Sequence, residues 1–164
     1  LLVTNAGVLH LSNDFLELDY KIWKKTMATN LDGTLLPIKE VLPRMIKRKF
    51  GRIVCISSVA GLGMRPNLIT YGTSKAAVIA LVRNLSSAVA PYIRINSVAP
   101  GLIETDMAKL FDKKTKKNII KDTPLKRLGT PQDIANTVFY LLSEQSKFTT
   151  GQTLVTDGGK ITLP

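Results

Sequence analysis

The stretch from Arg52 to Val82 does most to limit the fold. Arg52-Ile-Val-Cys-Ile-Ser57 is rich in β-branched residues and reads as a buried strand. A loop punctuated by glycine and proline, Val59 to Leu68, follows it. Tyr71-Gly-Thr-Ser-Lys75 then opens an apolar run, Ala76-Ala77-Val78-Ile79-Ala80-Leu81-Val82. This predicts a buried helix ending near Pro91, because proline disfavours helical geometry in Ala90. Strand, loop and helix in this order belong to an open α/β sheet, which places its ligands at strand carboxyl ends.

The chemistry collects at that strand end. Tyr71 and Lys75 stand four residues apart, so they share one helical face, and an ammonium beside a phenol favours the phenolate. Bringing a phenol from a pKa of roughly 10 to neutrality takes about 4 kcal/mol, more than one solvated lysine supplies. The pair therefore calls for a partly closed site with a second positive charge. Ser58 lies thirteen residues before Tyr71, while Ser57, one residue earlier, is expected to face the other side of the strand. Ser58 also reads as a simple turn cap. Tyr20 and Lys24 repeat the spacing, but no hydroxyl-bearing strand end precedes them, and Trp23 and Lys25 suggest an ordinary amphipathic helix.

Further motifs stand in a fixed order around this core. Asn5-Ala6-Gly7, Thr29-Asn30-Leu31-Asp32-Gly33 and Gly51-Arg-Ile-Val54 precede Ser58, Tyr71 and Lys75. Ile95-Asn-Ser-Val-Ala-Pro-Gly101 with Ile103 and Thr105, and Thr150-Gly-Gln152 through Asp157-Gly-Gly159, follow. From Leu1 to about Gly159 the chain resembles the short-chain dehydrogenase/reductase family. The resemblance implies a Rossmann-like, doubly wound parallel sheet with helices on both faces. It implies NAD or NADP as cofactor and hydride transfer to or from a carbonyl/secondary alcohol pair. By the same resemblance Ser58 donates to the carbonyl oxygen, Tyr71 is the general acid/base, and Lys75 lowers the Tyr71 pKa and binds the nicotinamide ribose. Asn30 would hold a water in a proton path ending at Lys75 and Tyr71. Asn5, Ala6 and Gly7 would line the cofactor; Pro100, Gly101, the Ile103 backbone and the Thr105 hydroxyl would hold its carboxamide and adjoining phosphate. Local readings stand beside these: Asn30 as the cap of a second helix, and Thr105 as a capping threonine after a turn.

Leu1-Leu-Val-Thr4 reads as a strand, the fourth in the resembling sheet. The glycine-rich phosphate loop of the preceding βαβαβ half, G-x-x-x-G-x-G or G-x-G-x-x-G, is not in the sequence. Residues 1–164 thus read as a single domain of this type, truncated at its N-terminal side, with Leu1 to Val3 expected to present an apolar edge and the chain alone expected to self-associate. A non-catalytic fragment unable to bind a dinucleotide is the alternative reading. Asp19 to Lys49 carries apolar residues at helical spacing and predicts one long helix, or two joined near Asn30 to Gly33. The Lys-rich stretch after Thr105 resembles a mobile substrate cover, and its irregularity suggests a lid. Pro131 to about Ser143 predicts a helix, and Gln152 to Thr156 a last strand.

The 164 residues, 45% of them hydrophobic, are enough for one domain with a sizeable core. Cys55 is the single cysteine, which excludes an internal disulfide, reads as a small buried hydrophobe and suits a cytoplasmic setting. No apolar run approaches membrane-spanning length, and no His/Cys/carboxylate cluster has metal-ligand spacing; His10, the only histidine, is expected at the surface. The net charge of +11 comes from 23 basic and 12 acidic residues, and the basic groups cluster at Arg44 to Arg52 and Lys109 to Lys121. Neither cluster is interleaved with aromatics, so a nucleic-acid role has only net charge behind it, and solvated faces or an anion-attracting patch remain. Met45 to Arg52 is a candidate docking patch for an acyl carrier protein, if the substrate is a carrier-bound 3-oxoacyl thioester. A sugar or small secondary alcohol is the other substrate candidate. Pairing of the helix ending near Lys49 with the one opened by Tyr71 implies, by resemblance, a homodimer or homotetramer.

Overall fold

The computed structural model describes residues 1–11 and 14–161. Four short apolar runs become strands β1 (Leu2–Thr4), β2 (Gly51–Ile56), β3 (Ile93–Pro100) and β4 (Thr153–Thr156). All pair in parallel in the order β1-β2-β3-β4, with Val3 opposite Val54, Ile53 opposite Ile95 and Val98 opposite Leu154. A parallel sheet needs cover on both faces, and side chains alternate along each strand, so the core divides in two. Ile53, Cys55 and Ile95 pack on helices α2 (Gly33–Lys47) and α3 (Ile69–Val89) through Ile38, Met45, Val78 and Val82. Val54 and Val98 pack on Leu141, Ile134 and Val138 of α5 (Pro131–Leu142) on the opposite side. This is the doubly wound arrangement.

The segment from Asp19 resolves into two helices. Helix α1 (Tyr20–Met27) starts on the Asp19 side chain, which accepts from Lys21 N, and passes through a π-helical turn, Ala28–Asp32, into α2. Asn30 lies inside the turn and does not cap α2. The wider turn suits residues that hold a regular helix poorly, and π-turns recur where a side chain must be aimed at a site.

The Lys-rich stretch departs from the expected irregularity. After a 3₁₀ turn at Asp106–Leu110 it forms a regular helix, α4 (Lys113–Asp122), capped by Asp112, whose carboxylate accepts from Thr115 N at 2.6 Å. The cap overcomes the repulsion among its lysines. Among the described residues no helix is long and apolar enough to cross a membrane.

Candidate active site

Because the strands run parallel, their carboxyl ends share one edge of the sheet. Asn5-Ala6-Gly7 leaves it from β1, Ser58 from β2 and Gly101 from β3. The Ser58 turn is pressed directly onto the start of α3: a Cβ on Gly61 would lie 2.6 Å from Ala76 N, and one on Gly72 would lie 2.8 Å from the Ala60 carbonyl oxygen. Only glycines allow that approach, and it brings Ser58 to Tyr71.

Tyr71 and Lys75 occupy the first two turns of α3, 8% and 3% exposed. The Tyr71 ring packs with Ala60, Leu68, Leu9 and Leu11. Ser58 Oγ accepts from Ala60 N at 3.1 Å, capping the turn Val59–Gly61, and lies near enough to the Tyr71 phenol to favour its ionised form. The turn-cap reading of Ser58 holds, and the same side chain stands beside Tyr71. Ser57 is turned away, donating to the Val98 carbonyl at 2.8 Å.

Burial pushes the Tyr71 phenol above its ordinary value, and the nearby Ser58 hydroxyl offsets part of that. Lys75 does not reverse it. Its ammonium donates to the Ile56 carbonyl at 2.9 Å and stands 5.8 Å from the centroid of the phenol ring. Burial also draws the Lys75 pKa down to about 8. The expected lowering of the phenol by lysine is thus absent from the protein alone, because the low-polarity setting works against the phenolate more strongly than this engaged lysine works for it. The competing pair Tyr20 and Lys24 makes the same ring contact, at 5.1 Å, but Tyr20 is 67% exposed. Spacing alone does not separate the two pairs; burial does.

Asn30, fully buried, clamps the turn after β1: Oδ1 accepts from Val8 N at 2.8 Å, and Nδ2 donates to the Val8 carbonyl at 3.0 Å and to Ser74 Oγ at 2.9 Å. Ser74 passes the link on to the Tyr71 carbonyl at 2.7 Å. Both N–H bonds of the amide are engaged by protein, so its Nδ2 cannot also donate to a water in a relay. A Cβ on Gly7 would lie 3.4 Å from Lys75 Nζ and 3.6 Å from Asn30 Oδ1, so the same turn closes against the lysine.

The turn after β3 is more open. Ile103 bridges to Gly129, and the exposed Thr105 occupies the cap position before the 3₁₀ turn without a capping bond, its hydroxyl reaching only the Ile103 carbonyl at 3.4 Å. His10 is exposed, and among the described residues no three of His, Cys, Asp and Glu gather as metal ligands would.

Residues 1–160 match the family model described as enoyl-(acyl carrier protein) reductase. The 3-oxoacyl-(acyl-carrier-protein) reductase of Aquifex aeolicus is 38% identical over 160 residues, covering 97% of this chain and 64% of its own length. The chain belongs to the short-chain dehydrogenase/reductase family. Among solved structures similar to this family member, a 3-oxoacyl-(acyl-carrier protein) reductase of Brucella melitensis with bound NAD superposes with a TM-score of 0.90 at 33% identity, covering 98% of this chain and 62% of that one. A gluconate 5-dehydrogenase of Burkholderia cenocepacia in complex with NADP and tartrate gives 0.92 at 32% identity, covering 97% and 64%. The chain thus spans less than two thirds of the length of these family members.

Three groups at the site escape a motif reading of the dehydrogenase/reductase pattern. Ser74 sits one helical turn after Tyr71 and was visible only as a small residue for close packing. The Ile56 carbonyl that holds Lys75 is backbone and leaves no sequence signal. Cys55 lies in β2 beside the lysine, fully buried, and burial pushes its thiol up to about 11.

Proposed function

We propose that this chain carries the proton-transfer site of an oxidoreductase that interconverts a carbonyl and a secondary alcohol with NAD or NADP. The observation that carries the reading is the buried Tyr71 phenol beside Ser58, with Lys75 one turn away, at the carboxyl edge of a parallel sheet. The residues fit a dinucleotide at that edge: Asn5 and Ala6 are exposed on the turn after β1, and Thr105 holds a weakly engaged hydroxyl after β3. Asn5, Ala6 and Gly7 would line the cofactor from one side, and Pro100, Gly101, Ile103 and Thr105 from the other. That group supplies or accepts the hydride and, when oxidised, adds a positive charge near the phenol.

Ser58 then donates to the substrate oxygen, stabilising the charge that develops on it. Tyr71 gives the proton in reduction and takes it in oxidation. Lys75 keeps most of its charge at neutral pH and presents it to ribose hydroxyls and the phenol. Asn30 positions the site, holding Val8 and, through Ser74, the first turn of α3.

Tyr71→Phe in the full natural chain is expected to lower kcat by about a thousandfold or more while leaving NAD(P)(H) affinity within about threefold, since it removes only the proton donor. Steady-state kinetics with cofactor titration measures both. Near-normal turnover would discard Tyr71 as the acid/base.

Two substrate classes separate by salt. A 3-oxoacyl thioester on an acidic carrier protein predicts an apparent KM that rises steeply with ionic strength; a sugar or small alcohol predicts indifference. The proposed docking run is thinner than its sequence suggests, because Arg52 is drawn inward to the Leu142 carbonyl and Glu144, leaving Lys47, Arg48 and Lys49 to present the charge.

A further inference from the structure

Helix α4 carries five lysines and one acidic residue, Asp122, among its ten residues. Successive residues of a helix turn by about 100°, so Lys113, Lys114, Lys117 and Lys121 fall within one arc of about 100°, three of them as an i, i+4, i+8 row. All four are exposed, whereas Thr115, Ile119 and Ile120, outside that arc, are half-buried. Among the described residues none of the four enters a salt bridge; the carboxylates so engaged pair with Arg52, Lys109 and Arg127. Like charges at i and i+4 weaken a helix, so the row is kept against local preference, with the Asp112 cap holding the helix together.

The helix stands at the carboxyl edge of the sheet. The chain reaches it from β3 through Gly101, and its far end is tied to the turn after β4: Leu125 N donates to the Gly158 carbonyl at 3.2 Å, and a Cβ on Gly159 would lie 3.1 Å from Pro124 Cγ. Ser58 and Tyr71 lie on that same edge. The run Met45 to Arg52 does not. Gly51 and Arg52 open β2, which puts the run at the amino edge, a strand's length of about 17 Å away. On the inner side of α4, Lys116 and Thr105 line a cleft of about 570 Å³ together with Glu104, Asp106 and Lys109, the last two paired at 2.6 Å.

We propose that the exposed lysine face of α4 docks an acidic protein, one that presents a row of carboxylates and delivers the substrate to the carboxyl edge on a flexible arm. This rests on the reaction proposed above, names the partner that brings its substrate, and moves the docking surface from Met45 to Arg52 onto α4. Complementary charge draws such a partner in and fixes its register. From Lys113 to Lys121 the row spans about 12 Å, which matches two turns of an acidic helix on the partner. A membrane surface fits less well, because a helix lying on lipid turns an apolar face to it, and the isoleucines of α4 are outside the lysine arc. Single-stranded nucleic acid calls for aromatic platforms among the cations, and α4 has no aromatic residue.

The test uses the full natural chain with NADH and NADPH and one reacting group on two carriers: acetoacetyl-acyl-carrier protein, and acetoacetyl-N-acetylcysteamine, which lacks the protein. The readout is the ratio of kcat/KM for the first to that for the second. The triple variant Lys113→Gln/Lys117→Gln/Lys121→Gln is expected to lower this ratio about tenfold or more at low salt and to flatten its salt dependence. A ratio that this variant leaves in place would overturn the assignment of α4 while sparing the reaction, and a fall in Lys47→Gln/Arg48→Gln/Lys49→Gln instead would return docking to the amino edge. If wild-type protein turns over neither thioester, fluorescence anisotropy with labelled acyl-carrier protein decides. Binding that is lost in the α4 variant keeps the docking surface and discards the proposed reaction. No binding to wild type, or lysine-dependent binding to phosphatidylglycerol vesicles alone, discards the docking surface. Melting curves, expected no lower for the α4 variant because like-charge repulsion is removed, show that the ratios come from folded protein.

Discussion

At the scale of single residues, the site is set by burial acting on two groups in opposite directions. Taking Lys75 out of water disfavours its charged form, and taking Tyr71 out of water also disfavours its charged form, so one pKa falls while the other rises. The two therefore move apart, the phenol rising from 10.0 and the ammonium falling from 10.5 to about 8, so without cofactor the lysine is the one nearer neutrality. The same shifts make stability depend on pH. Lys75 has a folded pKa of about 8 against 10.5 unperturbed, a difference of roughly 3 kcal/mol, so its burial destabilises the fold fully below pH 8, and this penalty is relieved as pH rises toward 10.5. Cys55 works the other way: its thiol is held protonated up to about 11 against 9.0, so its contribution is lost between those values. Replacing the lysine isolates the first effect. The melting temperature of Lys75→Met relative to wild type should be more favourable at pH 7 than at pH 10, as the wild type recovers stability that the variant never lost. A difference independent of pH across that range would show that the lysine is not perturbed by burial.

At the scale of elements, the π-turn between α1 and α2 is where helix geometry yields to the site. It aims Asn30 across to the turn after β1 and to α3, so that a single amide ties three segments together. Removing it leaves the Val8 N–H and carbonyl and the Ser74 hydroxyl without those partners. Asn30→Ala is expected to cost about 2–4 kcal/mol, read from urea denaturation, since each polar group left unpaired in the interior costs roughly 1–3 kcal/mol. A loss under about 0.5 kcal/mol would mean the clamp is structurally idle. The other end of the sheet shows the complementary device. Arg52 and Arg94, on neighbouring strands, reach the Leu141, Leu142 and Ser143 carbonyls at the carboxyl end of α5, where cations are favoured by the helix dipole. The opposite end of α5 is closed by a capping box between Thr130 and Asp133, and Arg127 holds the Asp133 carboxyl well below the usual carboxylate range.

At the scale of the whole molecule, β1 lies at the edge of the sheet and is paired on one side only, with Leu1 70% and Val3 42% exposed. An unpaired apolar edge is a template for another strand. The 164-residue chain on its own is expected to self-associate, and Val3→Lys to reduce that association, as followed by analytical ultracentrifugation. A monodisperse monomer that melts cooperatively would contradict this. The sequence by itself determined the strands, the helices after them and that Ser57 and Ser58 face different ways, because β-branched runs, helical spacing and the two-residue alternation of a strand are local properties. It also separated Tyr71 from Tyr20 by what precedes each. What it left open was decided by contacts distant in the chain: Asn30 bonds across 22 and 44 positions, and Lys75 meets a carbonyl 19 positions away. The Lys-rich stretch became a helix through one capping aspartate. Whether lysine lowers the phenol depends on how much water each group has lost, and that loss exists only once the sheet, α3 and the loop have closed on one another.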